Sequence, residues 1–269
     1  MKQFKRVLSI AGSDPSGGAG IQADLKAMSA CGCYGMTAIT AVVDENTQGV
    51  TGVYPIPVDF VKGQIHSVLD DIGADAVKIG MLHSSELIRG VCGTLHEYAI
   101  ENSVLDPVMV ATSGDRLLAP DAAETLKKEL IPHVRVITPN IPEAEILAGC
   151  PITSVKDMDR IAPELSCNGT VSVWLKAGHL NKEELIDVFF NAETNKLIHL
   201  KTVRVQTNNT HGTGCTLSSA LASFLARGYD LNDAVFRAKN YLTGALEAAK
   251  DYKTGRGHGP VHHFFQWWT

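Results

Sequence analysis

Short apolar runs rich in Val, Ile and Leu alternate with helix-patterned segments along almost the whole chain, and no other feature restricts the fold as much. VLSIAG (7–12) reads as a strand, GIQADLKAMSA (20–30) as a helix and MTAITAVV (36–43) as a strand. DFVKGQIHSVLDDI (59–72) is helical, DAVKIGM (75–81) strand-like, SELIRGVCGTLHEYAI (85–100) helical and SVLDPVMV (103–110) strand-like. The series continues with helical AAETLKKELI (122–131), strand-like VRVITPN (134–140), helical NIPEAEILAG (140–149) and strand-like TVSVWLKAG (170–178). LIDVFFNAETNKLIHL (185–200) has the pattern of a hairpin, and two helical segments, 213–228 and 231–252, precede an aromatic tail, HHFFQWW, expected to pack on the body. Strands that are apolar on both faces belong in a doubly covered sheet, so the expected class is α/β: a central, mostly parallel sheet with helices on both faces and a small edge hairpin. No Pro/Ser-rich linker or fixed-period repeat interrupts the 269 residues, which predicts one domain spanning 1–269.

Charge and cysteine usage exclude several classes of partner. The net charge is −5 with Lys and Arg scattered, which lacks the basic surface that competes for phosphate backbones, so nucleic acid is not an expected partner. An anionic substrate must therefore be drawn in by local devices such as helix N-termini, backbone amides or a metal ion. The six cysteines form no CxxC pair and fit no zinc spacing; they read as reduced thiols of a cytoplasmic protein. The longest uncharged stretch, 27–43, falls short of the ~20 apolar residues of a bilayer crossing, so no membrane association is expected.

In open α/β sheets, ligands bind beyond the C-terminal ends of the strands. Here those ends carry polar groups in series: Gly12-Ser13-Asp14, Asp44-Glu45-Asn46, Lys78-Ile79-Gly80-Met81, Asp106-Pro107-Val108, Thr138-Pro139-Asn140 and Lys176-Ala177-Gly178-His179. One such residue is ordinarily a cap; six along one edge point to a site.

Four motifs carry specific chemistry. AGSDPSGGAGIQADLK (11–26) runs from a strand through a Gly-rich turn into a helix. Its Gly18, Gly20 and Ala23 match the GxGxxA dinucleotide fingerprint, but the glycines follow the strand too late for a pyrophosphate turn, which leaves a broad substrate loop. NTHGTGCTLSSA (209–220) sets Gly212 and Gly214 before an amphipathic helix, where free amides and the helix dipole suit a phosphoryl oxygen. Cys215 lies in that turn, a position expected to lower a thiol from its free value of ~8.5 and make it a candidate base. Asn140 and Glu143 fit a capping box around Pro142, and equally fit the orientation of a hydrated Mg²⁺. Lys176 closes an apolar strand and offers a point charge to phosphates.

In order and spacing, AGSDPSGGAGIQADLK, GMTAITAVVDENT, KIGM, DPVM, ITPNIPEAE, LKAGH, NTHGTGCTLSSA and the terminal GPVHHFFQWW resemble the hydroxymethylpyrimidine/phosphomethylpyrimidine kinases of thiamine biosynthesis, in the ribokinase superfamily, from residue 7 nearly to the C-terminus. The resemblance implies a ribokinase-like fold and a homodimer. It also implies an ATP- and Mg²⁺-dependent enzyme that phosphorylates 4-amino-5-hydroxymethyl-2-methylpyrimidine and then its monophosphate. By the same resemblance Gly12, Asp24, Glu45, Met81 and Val108 belong to the pyrimidine pocket, with Glu45 accepting from the 4-amino group. Asp106, Asn140 and Lys176 belong to the nucleotide site, Asp106 and Glu143 to the metal, and Gly212, Gly214, Cys215 and Lys176 to the catalytic set. Two departures stand out: Ala177 replaces a frequent Gly, and 152–170 matches only loosely. A pyridoxal kinase of the same branch and a non-catalytic pyrimidine-binding module are the alternatives.

Overall fold

The computed structural model describes residues 2–109, 118–119 and 121–268. An eight-stranded sheet forms the centre. Its strands are β1 (Arg6–Ala11), β2 (Tyr34–Ile39), β5 (Ala76–Ile79), β6 (Ser103–Leu105), β7 (Val136–Ile137), β8 (Ser172–Leu175), β9 (Glu184–Asn191) and β10 (Lys196–Val203), in the order β10-β9-β8-β7-β6-β5-β1-β2. Pairings from β2 to β8 are parallel, and β9 and β10 complete the edge as an antiparallel hairpin. The expected edge hairpin at 185–200 is this pair. A separate two-stranded sheet pairs β3 (Ala41–Asn46) with β4 (Gly49–Pro55).

The continuous apolar strands are explained by their two covered faces. Leu8, Val77, Leu105, Ile137 and Val173 face one core, which they share with α2 (Val58–Asp71), α3 (Ser85–Glu97), α4 (Ala122–Thr125), α5 (Ile141–Ala148) and α6 (Val155–Glu164). Their neighbours Val7, Ala76, Val104, Val136 and Trp174 face the other, with α1 (Gly20–Ala30), α7 (Thr213–Ala226) and α8 (Leu231–Ala249). Period-two alternation thus divides each strand between two apolar cores.

Several expected boundaries shift. MTAITAVV is not one strand: the chain breaks at Thr40, whose hydroxyl donates to the Met81 carbonyl (2.8 Å) and whose amide donates to Ala11 (3.0 Å), and it leaves the main sheet to begin the β3–β4 hairpin. Asp44-Glu45-Asn46 therefore lies on that hairpin rather than on the main sheet edge. The helix expected at 122–131 is composite, with α4 widening into a π-helical turn (Leu126–Leu130) and closing as a 3₁₀ turn (Ile131–His133). The loosely matching stretch 152–170 contains α6, begun by a reciprocal capping box between Ser154 and Asp157. Val110, the last residue of the expected strand 103–110, lies outside the described residues.

β1 is paired with β2 on one side and β5 on the other, so the chain reverses direction across the sheet there. α1 and α2 consequently leave from opposite faces and open a crevice at the C-terminal ends of β1 and β5.

Candidate active site

A cleft of about 610 Å³ occupies this crevice and extends along the C-terminal ends of β6, β7 and β8. That volume is ordinary for a small-molecule site. Gly12, Glu45, Met81, Asp106, Val108, Asn140, Glu143, Lys176, Gly212, Gly214 and Cys215 all line it, so the structure brings together every residue expected of the site except Asp24.

Asp24 lies behind the wall. Its side chain is fully buried on α1, where one carboxylate oxygen accepts from Lys78 Nζ (2.9 Å) and Ser9 Oγ (2.5 Å) and the other from Ser219 Oγ of α7 (2.7 Å). Lys78, read from sequence as part of a strand end, is equally buried. Burial alone would disfavour its ammonium, but Asp24 outweighs that and raises the lysine above its ordinary range. The quartet joins β1, β5, α1 and α7 beneath the cleft floor.

The phosphate-binding end is built from α7. Gly212 caps the helix at φ +77, and a Cβ there would collide with the Gly18 carbonyl oxygen, so this close approach of two loops requires glycine. No side chain caps α7, and the Gly214 and Cys215 amides have no acceptor among the described residues. Free amides at the positive end of a fourteen-residue helix make an anion hole. A Cβ on Gly214 would lie 3.0 Å from Asp106 Oδ2 and 3.5 Å from Lys176 Nζ, which places this turn directly against the charged pair.

Lys176 Nζ donates to Asp106 Oδ1 at 2.9 Å, and Thr138 Oγ1 donates to the same oxygen at 3.1 Å. Burial works against the ammonium, yet Asp106 and Glu143 together hold it above the usual lysine range. Glu143 and Asn140 form the expected capping box: Asn140 N donates to Glu143 Oε2 (2.8 Å) and Glu143 N to Asn140 Oδ1 (2.9 Å). Burial pushes the Glu143 carboxyl up to about 7, with Lys176 opposing and Asp106 reinforcing the shift. Two hard carboxylates, one of them costly to ionise without a nearby cation, suit a Mg²⁺ ion that keeps most of its waters.

Cys215 departs from expectation. Burial drives its thiol up to about 12; Lys78 pulls in the opposite direction, while Asp24 and Asp106 reinforce the rise. The helix dipole favours a thiolate, as the sequence suggested, but desolvation beside two carboxylates outweighs it.

At the other end, Gly12, Val43, Met81 and Val108 make an apolar slot, and Glu45 from the hairpin stands beside it. Sequence reasoning missed the residue that organises this end. His211, buried in the THGTG turn, places Nε2 2.8 Å from Asp14 Oδ2 and 4.0 Å from Glu45 Oε1. Asp14 also accepts from the amides of Ser16, Gly18 and Ala19, and these bonds with His211 overcome burial to hold its carboxyl well below the usual range. Arg204 and Lys239 also line the cleft and were missed: they come from β10's C-terminal flank and from α8, respectively, where no local motif marks them.

Solved structures with this architecture include pyridoxal kinase from Bacillus subtilis in an ADP complex (TM-score 0.90, 36% identity, covering 98% of this chain and 99% of that one). Another is phosphomethylpyrimidine kinase from Clostridium difficile 630 (TM-score 0.79, 45% identity, covering 90% and 99%). Fold and cleft together place the chain among the ribokinase-like kinases. The family model for phosphomethylpyrimidine kinase matches residues 14–262. Hydroxymethylpyrimidine/phosphomethylpyrimidine kinases from Rhizobium meliloti (strain 1021) and Escherichia coli (strain K12) are each 47% identical, covering 97% and 98% of this chain and 97% and 100% of their own lengths. The chain belongs to the phosphomethylpyrimidine kinase family.

Proposed function

We propose that this enzyme transfers the terminal phosphoryl group of ATP, with Mg²⁺, to the hydroxymethyl oxygen of 4-amino-5-hydroxymethyl-2-methylpyrimidine, and in a second turnover to the resulting monophosphate, as a step of thiamine biosynthesis. The observation that carries this reading is the meeting, in one cleft, of the uncapped α7 N-terminus and the Lys176–Asp106 pair with an apolar slot flanked by Glu45. The slot is assigned to the ring and the amides to the transferring phosphoryl group.

The residues divide the work by their chemistry. Gly12, Val43, Met81 and Val108 bury the faces of the ring, and Glu45 accepts from its 4-amino group. Gly214 and Cys215 amides, with Gly212 giving the turn its shape, neutralise charge on the phosphoryl oxygens, and Lys176 adds a full positive charge. Asp106 and Glu143 would hold Mg²⁺, with the Asn140 amide fixing the Glu143 carboxylate. An ion held there would offset the negative charge of the phosphates. Cys215 stands in the turn as the candidate base, but it can take the alcohol's proton only as a thiolate, the form that burial disfavours here, so positioning and charge neutralisation carry most of the rate.

Asp24 has a supporting place, holding α1 and α7 together behind the slot. The wider expectations of one kinase domain over 1–269, a homodimer and a cytoplasmic location accompany this reading. Among the described residues, no helix is long and apolar enough to cross a membrane.

Pyridoxal kinase is the second reading, favoured by likeness to solved pyridoxal kinases, one of them from Staphylococcus aureus in complex with AMP-PCP and pyridoxal (TM-score 0.88, 34% identity, covering 98% of this chain and 96% of that one). The 47% identity of the pyrimidine kinases supports the first. A coupled assay of ADP release with the aminopyrimidine, its monophosphate and pyridoxal as acceptors tests the choice. The pyrimidine reading requires both pyrimidines to outpace pyridoxal, and a preference for pyridoxal would replace it.

A further inference from the structure

Away from the cleft, Cys92 and His96 of α3 and His133 of the 3₁₀ turn bring their ligand atoms within 4.8 Å of one another. None of the three lines the active-site cleft. Cys92 and His96 are four residues apart, so they project from one face of α3, and His133 arrives from the element packed against that face. The two imidazoles meet edge to face with ring centroids 4.3 Å apart and interplanar angle 90°, and neither makes a hydrogen bond among the described residues. Cys92 donates its S–H to the Glu129 carbonyl (3.1 Å) in the π-helical turn, and Arg89 spans the same two elements to the Glu129 carboxylate (3.0 Å).

We propose that Cys92, His96 and His133 form a binding site for a borderline-soft divalent transition metal, zinc foremost. One sulfur and two imidazole nitrogens are the donors that such ions select over Mg²⁺ or Ca²⁺. Tetrahedral zinc with bonds of about 2.0–2.3 Å holds its donors roughly 3.5 Å apart, a closure from the observed spacing that side-chain rotation supplies. Binding replaces the S–H bond to Glu129 with a metal–thiolate bond, and the proton passes to solvent. Both histidines are exposed while Cys92 is buried beneath them, so the ion enters from solvent, and the fourth position stays open to water. An ion held there pins the turn 131–133 to α3 and reinforces the tie that the Arg89–Glu129 pair makes nearby.

The site is tested on the metal-free full-length chain by titration with Co²⁺, following the thiolate-to-cobalt absorbance, and by competition with Zn²⁺. The expected result is saturable binding of one equivalent with a thiolate band that Cys92→Ser abolishes, and affinity weakened roughly tenfold or more by His96→Ala and by His133→Ala. Zinc should also raise the thermal midpoint of the parent chain but not that of His133→Ala, an exposed substitution that leaves the core intact. Absence of a band, a band that survives Cys92→Ser, or metal affinity indifferent to both histidine substitutions would overturn the proposal.

Discussion

The Nε2 atom of His211 lies 2.8 Å from a carboxylate oxygen of Asp14, although 197 residues separate the two in the chain. This contact fastens the loop after β1 to the turn that begins α7, and Glu45 stands 4.0 Å away on the same imidazole. The pyrimidine slot and the phosphate turn are thereby held as one unit. Replacing His211 by Gln should cost about 1.5–3 kcal/mol, the usual range for a hydrogen bond involving charge, and raise KM for the pyrimidine more than it lowers kcat. Urea denaturation and steady-state kinetics on the variant measure both.

The same pair sets a pH dependence whose sign can be worked out. Burial disfavours the His211 imidazolium, but the bond to Asp14 and the charges of Asp14 and Glu45 outweigh it, so the folded protein holds this proton more tightly than the unfolded chain does. The stabilisation is complete below the ordinary histidine pKa and is lost as pH rises through the elevated one. Asp14, depressed in the fold, contributes above the ordinary carboxylate range and loses its contribution as pH falls. Unfolding free energies at about pH 6 and about pH 8.5 should therefore show a decline in the parent chain that is reduced in His211→Gln.

Glu45 is expected to control acceptor choice. In Glu45→Ala the 4-amino group loses its acceptor, a cost of about 1.5–3 kcal/mol, so aminopyrimidine turnover should fall about tenfold or more while pyridoxal turnover changes less. Parallel kcat/KM measurements decide this. Equal losses would place Glu45 in His211 positioning alone.

For Cys215, a thiol pushed up to about 12 has two measurable consequences. Iodoacetamide should alkylate it more slowly at neutral pH than it alkylates a free thiol, because little thiolate is present. Cys215→Ala should lower kcat by about a hundredfold or less, the lower edge of what a positioned base supplies, since the backbone amides of the turn survive the change. Rapid alkylation or a loss near ten-thousandfold would show a preformed thiolate base.

The Asp24–Lys78 pair separates structure from recognition. Lys78→Met leaves the Asp24 carboxylate buried without its counter-charge and should destabilise by about 3–5 kcal/mol, whereas the paired change with Asp24→Leu should recover much of that. Denaturant midpoints across the double-mutant cycle measure the coupling. Asp24→Asn should affect stability more than KM for the pyrimidine, in keeping with its place behind the cleft.

Most of the sheet was legible because its strands are buried on both faces and read as uninterrupted apolar runs, and most of the site was legible because parallel strands deliver their ends to one edge. The β3–β4 hairpin was not: Val42, Val53 and Tyr54 are exposed apolar residues that blur its pattern, and the break at Thr40 depends on partners at Ala11 and Met81. α6 carries a readable signal in Ser154-x-x-Asp157, obscured by Pro163 near its end. Asp24 resembled a ligand in sequence, and only the arrangement of Ser9, Lys78 and Ser219 around it reveals a buried anchor. The shift at the Cys215 thiol runs opposite to expectation for a related reason, since a helix N-terminus is visible in sequence and desolvation is not.

The most direct test follows the phosphorus itself. Incubating the full-length chain with ATP, Mg²⁺ and 4-amino-5-hydroxymethyl-2-methylpyrimidine, with phosphorus NMR and mass spectrometry of the products, should reveal the monophosphate first and the diphosphate afterwards, with one ADP formed for each transfer. ATP turnover without a phosphorylated pyrimidine, or a reaction confined to pyridoxal when both acceptors are present, would contradict the assignment.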